Sequence, residues 1–211
     1  MRRPALLLLA SALAAPLAVR ASPEAFTASL GQSHIVVHVF KKGLLSGMAH
    51  DHHFVANDWR ATARFDAAAP TEGQFDVVVS SASLRDAQPA LSAKDAQKVN
   101  AQAADSIEAR RYPEVTFKAT GPVRAAAASA LAPDAESIEA VLGGTMTLRG
   151  REHPVTVPVH ASRRGAGWRA RGSFRVKQSD FGIEPYSGFL GTIAVKDEIE
   201  IEFDLVMNPA S

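Results

Sequence analysis

The densest group of chemically competent side chains is Met48-Ala49-His50-Asp51-His52-His53-Phe54. Side chains on an extended strand alternate between its faces, so His50 and His52 would share one face and Asp51 and His53 the other. Two imidazoles at i and i+2 can hold one transition metal side by side, with Asp51 orienting a ring from behind. His38 is placed to join them from a neighbouring strand. A stable zinc or copper site needs a third or fourth ligand, and the chain has no cysteine to supply one. The metal candidates are therefore His50 and His52, and the alternative function they carry, with His53, is that of a metal-binding or redox-associated accessory protein. The same patch also reads as an exposed polar loop, or as hydrogen-bond partners for the polar end of a bound molecule. His34, His153 and His160 are scattered and read as structural.

No catalytic constellation accompanies these histidines. The sequence has no G-x-S-x-G elbow, no H-E-x-x-H pair and no Gly-rich phosphate loop. Its acids fall on the polar side of alternating segments, where solvation accounts for them. The expectation is a protein that is not an enzyme and has no cofactor. Its other chemical capacity is apolar. An inward set of Phe75, Val77, Phe117, Met146, Leu148, Phe174, Ile199, Ile201 and Phe203 would suit an apolar guest, or equally an ordinary filled core. Burial is worth roughly 0.8 kcal/mol per methylene, so enclosing about ten would contribute on the order of 8 kcal/mol before entropic costs. Phe181 is a further candidate, as a guest contact or as a plug at one end of a barrel.

The elements that must position these residues are mostly strands. Glu198 to Met207 reads E-I-E-I-E-F-D-L-V-M, and only a strand with one wet face separates those apolar and acidic residues cleanly. Ile138 to Leu148, Val155 to Val159, Trp168 to Val176, Phe75 to Val79 and Val115 with Phe117 alternate in the same way. Arg149-Gly150-Arg151-Glu152 and Gly165-Ala166-Gly167 supply hairpin turns. Many short strands with short turns predict an all-β fold, an antiparallel sandwich or barrel, and long one-sided alternation favours the barrel. One segment differs. Ser92 to Arg110 carries Ala96, Val99, Ala103 and Ile107 at helical spacing, and Pro113 ends it before Tyr112, predicting one amphipathic helix against the sheet. Ala125 to Pro133 is Ala-rich without period and reads as a loop.

Residues 1–21 stand apart. Arg2 and Arg3 precede a Leu/Ala-rich run, and Val19-Arg20-Ala21 offers small or aliphatic residues where a signal peptidase reads, which together predict a signal peptide. The mature chain, 22–211, is then expected to be one exported domain with no membrane span. Losing three arginines takes Lys plus Arg from 23 to 20 against 22 Asp plus Glu, a balance of −2. That charge gives no reason to expect nucleic acid as a partner. Without cysteine there is no disulfide framework, so stability must come from a packed core. Exposed strand edges would make a homodimer a candidate assembly.

Four motifs in order then carry a resemblance. Tyr112-Pro113-Glu114-Val115-Thr116-Phe117-Lys118 is similar to the K-Y-P-x-x-x-F-K signature of the YceI-like family. Thr145-Met146-Thr147-Leu148-Arg149-Gly150, followed by Pro154-Val155-Thr156-Val157, resembles its L-T-I-R-G hairpin. Ser179-Asp180-Phe181-Gly182-Ile183 resembles R-x-D-F-G-I, with Gln178 where the family has Arg, and Val195-Lys196-Asp197-Glu198-Ile199 resembles its closing strand. The matches span roughly residues 75 to 207. The resemblance implies a lipocalin-like antiparallel β-barrel in the periplasm, whose apolar pore holds a polyisoprenoid or quinone-like lipid.

Overall fold

The computed structural model describes residues 23–42, 51–66, 72–89, 91–122, 124–125, 137–188 and 193–210. In chain order these form β1 (Glu24–Ala28), β2 (His34–Lys42), β3 (His52–Ala56), β4 (Trp59–Phe65), β5 (Glu72–Ser80), β6 (Leu84–Asp86) and α1 (Ala93–Ser106). There follow β7 (Glu114–Pro122), β8 (Arg124–Ala125), β9 (Ser137–Leu148), β10 (Arg151–Arg164), β11 (Gly167–Lys177), β12 (Ser187–Gly188) and β13 (Ile193–Pro209).

The predicted barrel is present and closed. Eight strands pair antiparallel in the order β1-β4-β5-β7-β9-β10-β11-β13, and β13 returns to β1 through Phe26↔Pro209, Thr27↔Asn208 and Ala28↔Met207. Three staves are kinked. Beyond a short helical turn at Leu30–Gln32, the chain of β1 continues as β2, still beside β13. Across Asn57-Asp58, β3 leads into β4, and beyond Ser81–Ser83 β5 gives way to β6, with β2-β3-β6 pairing in turn. Of β1 to β4, the residue pattern suggests strands only around His38 and the His50–His53 patch, in β2 and β3.

Each segment of strong alternation is a strand with its apolar side inward. Ile138, Ala140, Leu142, Met146 and Leu148 of β9 are buried, as are Val155 and Val157 of β10 and Ile199, Ile201 and Leu205 of β13. Both predicted hairpin turns are two-residue loops. Arg149 (φ 52°) and Gly150 (φ 68°) join Leu148 to its partner Arg151, the doubly left-handed turn that matches strand twist. Gly165 (φ 60°) opens the other, between Arg164 and Gly167. Of the predicted Ala-rich loop, Arg124–Ala125 forms β8 and 126–136 lie outside the described residues.

Helix α1 is the predicted single helix, capped at its start by the Ser92 hydroxyl, which accepts from the Asp95 amide at 3.2 Å. It ends at Ser106, several residues before the expected stop. Glu108 takes a left-handed conformation (φ 50°), and the amide of Ala109 reaches back five residues to Ala104. The turn that follows drops Ile107 against the core and Tyr112 beside Gly150. The Asn100 side chain accepts from the Asp86 amide at 2.7 Å and ties the helix to β6.

Among the outward-facing groups, Arg169 grips Asp204 with two parallel hydrogen bonds, Nε to Oδ1 at 2.7 Å and Nη2 to Oδ2 at 2.5 Å. This fork holds the Asp204 carboxyl below the ordinary aspartate range, against the opposing effect of burial. A depressed folded-state value means the stabilisation is complete above the unfolded value, about pH 4, and is lost as pH falls through the lower folded value. Asp204→Asn should therefore cost about 1 kcal/mol at pH 7, the exposed Arg169 limiting the effect, and the cost should shrink below about pH 3. Urea titrations of both proteins across that range check this; a cost independent of pH would count against the pairing.

Candidate functional site

The barrel encloses a cavity of about 260 Å³. Its lining is apolar apart from Thr62 and Thr116. Nine of the predicted residues border it: Phe75, Val77, Phe117, Met146, Leu148, Phe174, Ile199, Ile201 and Phe203. Phe181 does not. It lies 0 % exposed in the short helical turn Gln178–Phe181 with its ring edge-on to His153, packed as part of the core beside the lumen. The turn is held by the Ser179 amide and hydroxyl, which donate to the two oxygens of Asp197 at 2.9 and 2.6 Å. Gln178, standing where the family pattern has Arg, donates instead to the carbonyl of Lys196 at 2.9 Å.

Sequence reasoning passed over the wall made by the N-terminal strands and much of the far end. Ile35 and Val37 of β2, Ala61, Ala63 and Phe65 of β4, and Trp168 of β11 all line the cavity. The available signal was the period-2 run W-R-A-T-A-R-F, whose inward alanines give weak contrast.

An interior of this kind usually fills with side chains. Here three phenyl rings lie back on glycines in the wall. A Cβ on Gly73 would meet Phe75 Cε2 at 2.7 Å, one on Gly144 would meet Phe117 Cε2 at 2.6 Å, and one on Gly172 would meet Phe203 Cζ at 2.7 Å. Each glycine faces inward by strand alternation, so each ring covers bare backbone and leaves the bore open. The pattern joins both needs of a container: the ring shields ladder hydrogen bonds, and the flat pose leaves volume.

At the end nearest α1, the polar groups are paired with one another. The Asp86 side chain is fully buried, accepting from the Gln88 amide at 2.9 Å and bonded to His52 Nδ1 at 2.6 Å. Arg149 bonds Glu108 and the carbonyl of Gly182, tying the turn after α1 to the β9–β10 hairpin. Arg149 also holds the Glu108 carboxyl below its ordinary range. His153 approaches Asp180 at 3.6 Å.

The histidine patch divides. His50 lies outside the described residues. His52 turns to the interior with Phe54, whereas His53 is outward and directly opposite His38, their Nδ1 atoms 2.7 Å apart. His38 Nε2 completes the outer row against Glu202 at 2.9 Å. Asp51 accepts from the Lys41 amide at 2.8 Å instead of backing a histidine. Among the described residues no three His, Asp or Glu side chains form a group able to hold a metal ion. No described helix is long and apolar enough to cross a membrane.

A family profile described as the YceI-like domain matches residues 30–207. Among solved structures, BcnA of Burkholderia cenocepacia is similar at 24 % identity and a TM-score of 0.64, covering 85 % of this chain and 98 % of that one. A polyisoprenoid binding domain from Saccharophagus degradans, implicated in plant cell wall breakdown, matches at 12 % identity and a TM-score of 0.62, covering 89 % and 99 %. The Campylobacter jejuni YCEI protein is 17 % identical with a TM-score of 0.50, covering 73 % and 82 %. At these identities the structures show the shared fold. No curated protein matches the chain.

Two substitutions separate wall from packing. In Gly73→Ala the added methyl meets only side-chain atoms of Phe75 and Phe65, so the fold should persist while the Phe75 ring swings into the bore. Uptake of an environment-sensitive apolar dye should fall; unchanged uptake with unchanged stability would show that the glycine does not hold the cavity open. Phe181→Ala should instead lower unfolding stability by about 3–5 kcal/mol, read by urea titration.

Proposed function

The chain belongs to the YceI-like family, and from that premise we propose that it is a non-enzymatic carrier of an amphiphilic, isoprenoid-like lipid held in the barrel lumen. The observation that carries the reading is the cavity of about 260 Å³ inside the barrel, with its nearly all-apolar lining. Such a lining, polar only at Thr62 and Thr116, offers no titratable side chain for acid–base chemistry, but it rewards transfer of hydrocarbon from water. Cavities of comparable character bind apolar guests and exclude water. The polyisoprenoid binding named for the Saccharophagus degradans domain favours a branched, unsaturated chain as the guest. The mechanism is passive: the bore sequesters the chain, and polar groups at an end hold the head.

The periplasm is the proposed site of action. The basic, then apolar, then small-residue order of residues 1–21 supports it, and export predicts a mature N-terminus at Ser22.

Native mass spectrometry of the protein purified from its own host, followed by organic extraction, should find a co-purifying isoprenoid lipid. Met146→Glu should lose it. Because a buried charge can also unfold the barrel, Ala61→Phe serves as the second variant: it fills lumen without charge and should weaken guest binding at least about tenfold. An empty protein that also refuses added polyprenol would sink the carrier reading.

A further inference from the structure

The strand order ends at β6, three residues whose outer edge pairs with no strand among the described residues. Helix α1 takes that place, its Asn100 side chain accepting from the Asp86 amide at 2.7 Å. The lumen is close by. Leu84, also on β6, lines the cavity, and so does Ile107, directly after the last turn of α1. The helix thus spans from the edge of β6 to the turn that leads into β7, with cavity-lining residues at both places.

The hold on α1 is slight along its length and firm at its end. None of its residues is fully buried, and its apolar stripe consists of the small, half-buried Ala96, Val99 and Ala103. The turn that follows is fixed. Ala109 is buried, Arg149 clamps the Glu108 carboxyl to the β9–β10 hairpin, and the Ser81 hydroxyl donates to the Tyr112 carbonyl at 2.8 Å. Between the lightly held helix and the fixed turn stands Glu108, in the left-handed region at φ 50°. Elements with little buried apolar area open locally, at a lower free energy than global unfolding requires. Lids move by torsional change at the few residues that end an element.

We propose that α1 is a hinged lid at this end of the lumen, pivoting at Glu108 and latched to β6 by the Asn100–Asp86 hydrogen bond, so that a guest enters and leaves between β6 and α1. The Asp86 carboxyl is held separately, by the Gln88 amide and by His52 of β3. Lifting the helix therefore breaks the Asn100 bond and leaves the sheet side of the latch whole. The inference rests on the carrier reading and adds to it a route and a moving part.

Amide hydrogen exchange and stopped-flow fluorescence with the apolar dye N-phenyl-1-naphthylamine test this, dye release being timed by an excess of geranylgeraniol. The amides of α1 should exchange well ahead of those in β9 and β10. Asn100→Ala should speed α1 exchange, dye entry and dye release alike by about tenfold, the equivalent of one hydrogen bond. Dye affinity and exchange in β9 and β10 should stay as they were. Lys98→Ala, on the exposed side of the same helix, should alter none of these. Exchange of α1 only in step with β9 and β10, or dye rates that hold while α1 loosens, would overturn the lid and leave the carrier reading standing. Faster release with unchanged entry would also overturn it, because Asn100 would then be supporting the bound state and not a gate. Uptake of neither probe by either protein removes the carrier reading itself, and the lid with it.

Discussion

The pairing of β1 with β13 is the constraint on which the remaining structure depends. Three residue pairs, from Phe26↔Pro209 to Ala28↔Met207, complete along β1 the seam that β2 continues beside the same strand, and together they convert an open antiparallel sheet into a ring. Closure removes the two longest edges and their unpaired backbone groups, and it turns the apolar face of every stave toward one shared interior. It also places the two ends of the described chain on the same seam, where the amide of Ser29 donates to Val206 and that of Ala210 to Ala25. An open sheet of the same sequence would expose a broad apolar face to water.

A closed wall explains why empty volume survives inside. The ladder holds the staves at fixed spacing, so side chains cannot collapse the bore by drawing the walls together. What remains is how the inward residues are distributed. Small residues such as Ala61, Ala63, Ala140 and Ala170 leave space, and the large rings of Phe75, Phe117 and Phe203 lie against glycines. The lumen is therefore a property of the order of large and small residues around the ring, and the same amino acids in another order would fill it.

Much of this was legible in the residues. Alternation in β11 and β13 announced both strand and inward face, because charged residues oppose most of the apolar ones there. Strand β9 showed the same period through its inward Ile138, Ala140, Leu142, Met146 and Leu148. The kinked staves were hidden, since the turns at Leu30–Gln32, Asn57-Asp58 and Ser81–Ser83 break the period before it becomes convincing. Helix α1 was visible, but its end was set by the backbone of Glu108, which no side-chain pattern marks. Alternation placed Phe117 on the inward face of its strand but had nothing to say of Phe181, which lies in the short helical turn Gln178–Phe181 and packs out of the lumen. The division of the histidines came from register: one residue of shift exchanges His52 with His53 between inside and outside.

The seam has a consequence for the history of each molecule. Its partners lie at opposite extremes of the described chain, and contacts of such high sequence separation form late and slowly. Until β13 docks, the container is a trough whose side is still open along its length. A long flexible chain can lie down in a trough far more readily than it can thread a finished tube. The moment of folding is thus itself a loading opportunity, and what a molecule holds can record the surroundings in which its last strand came home.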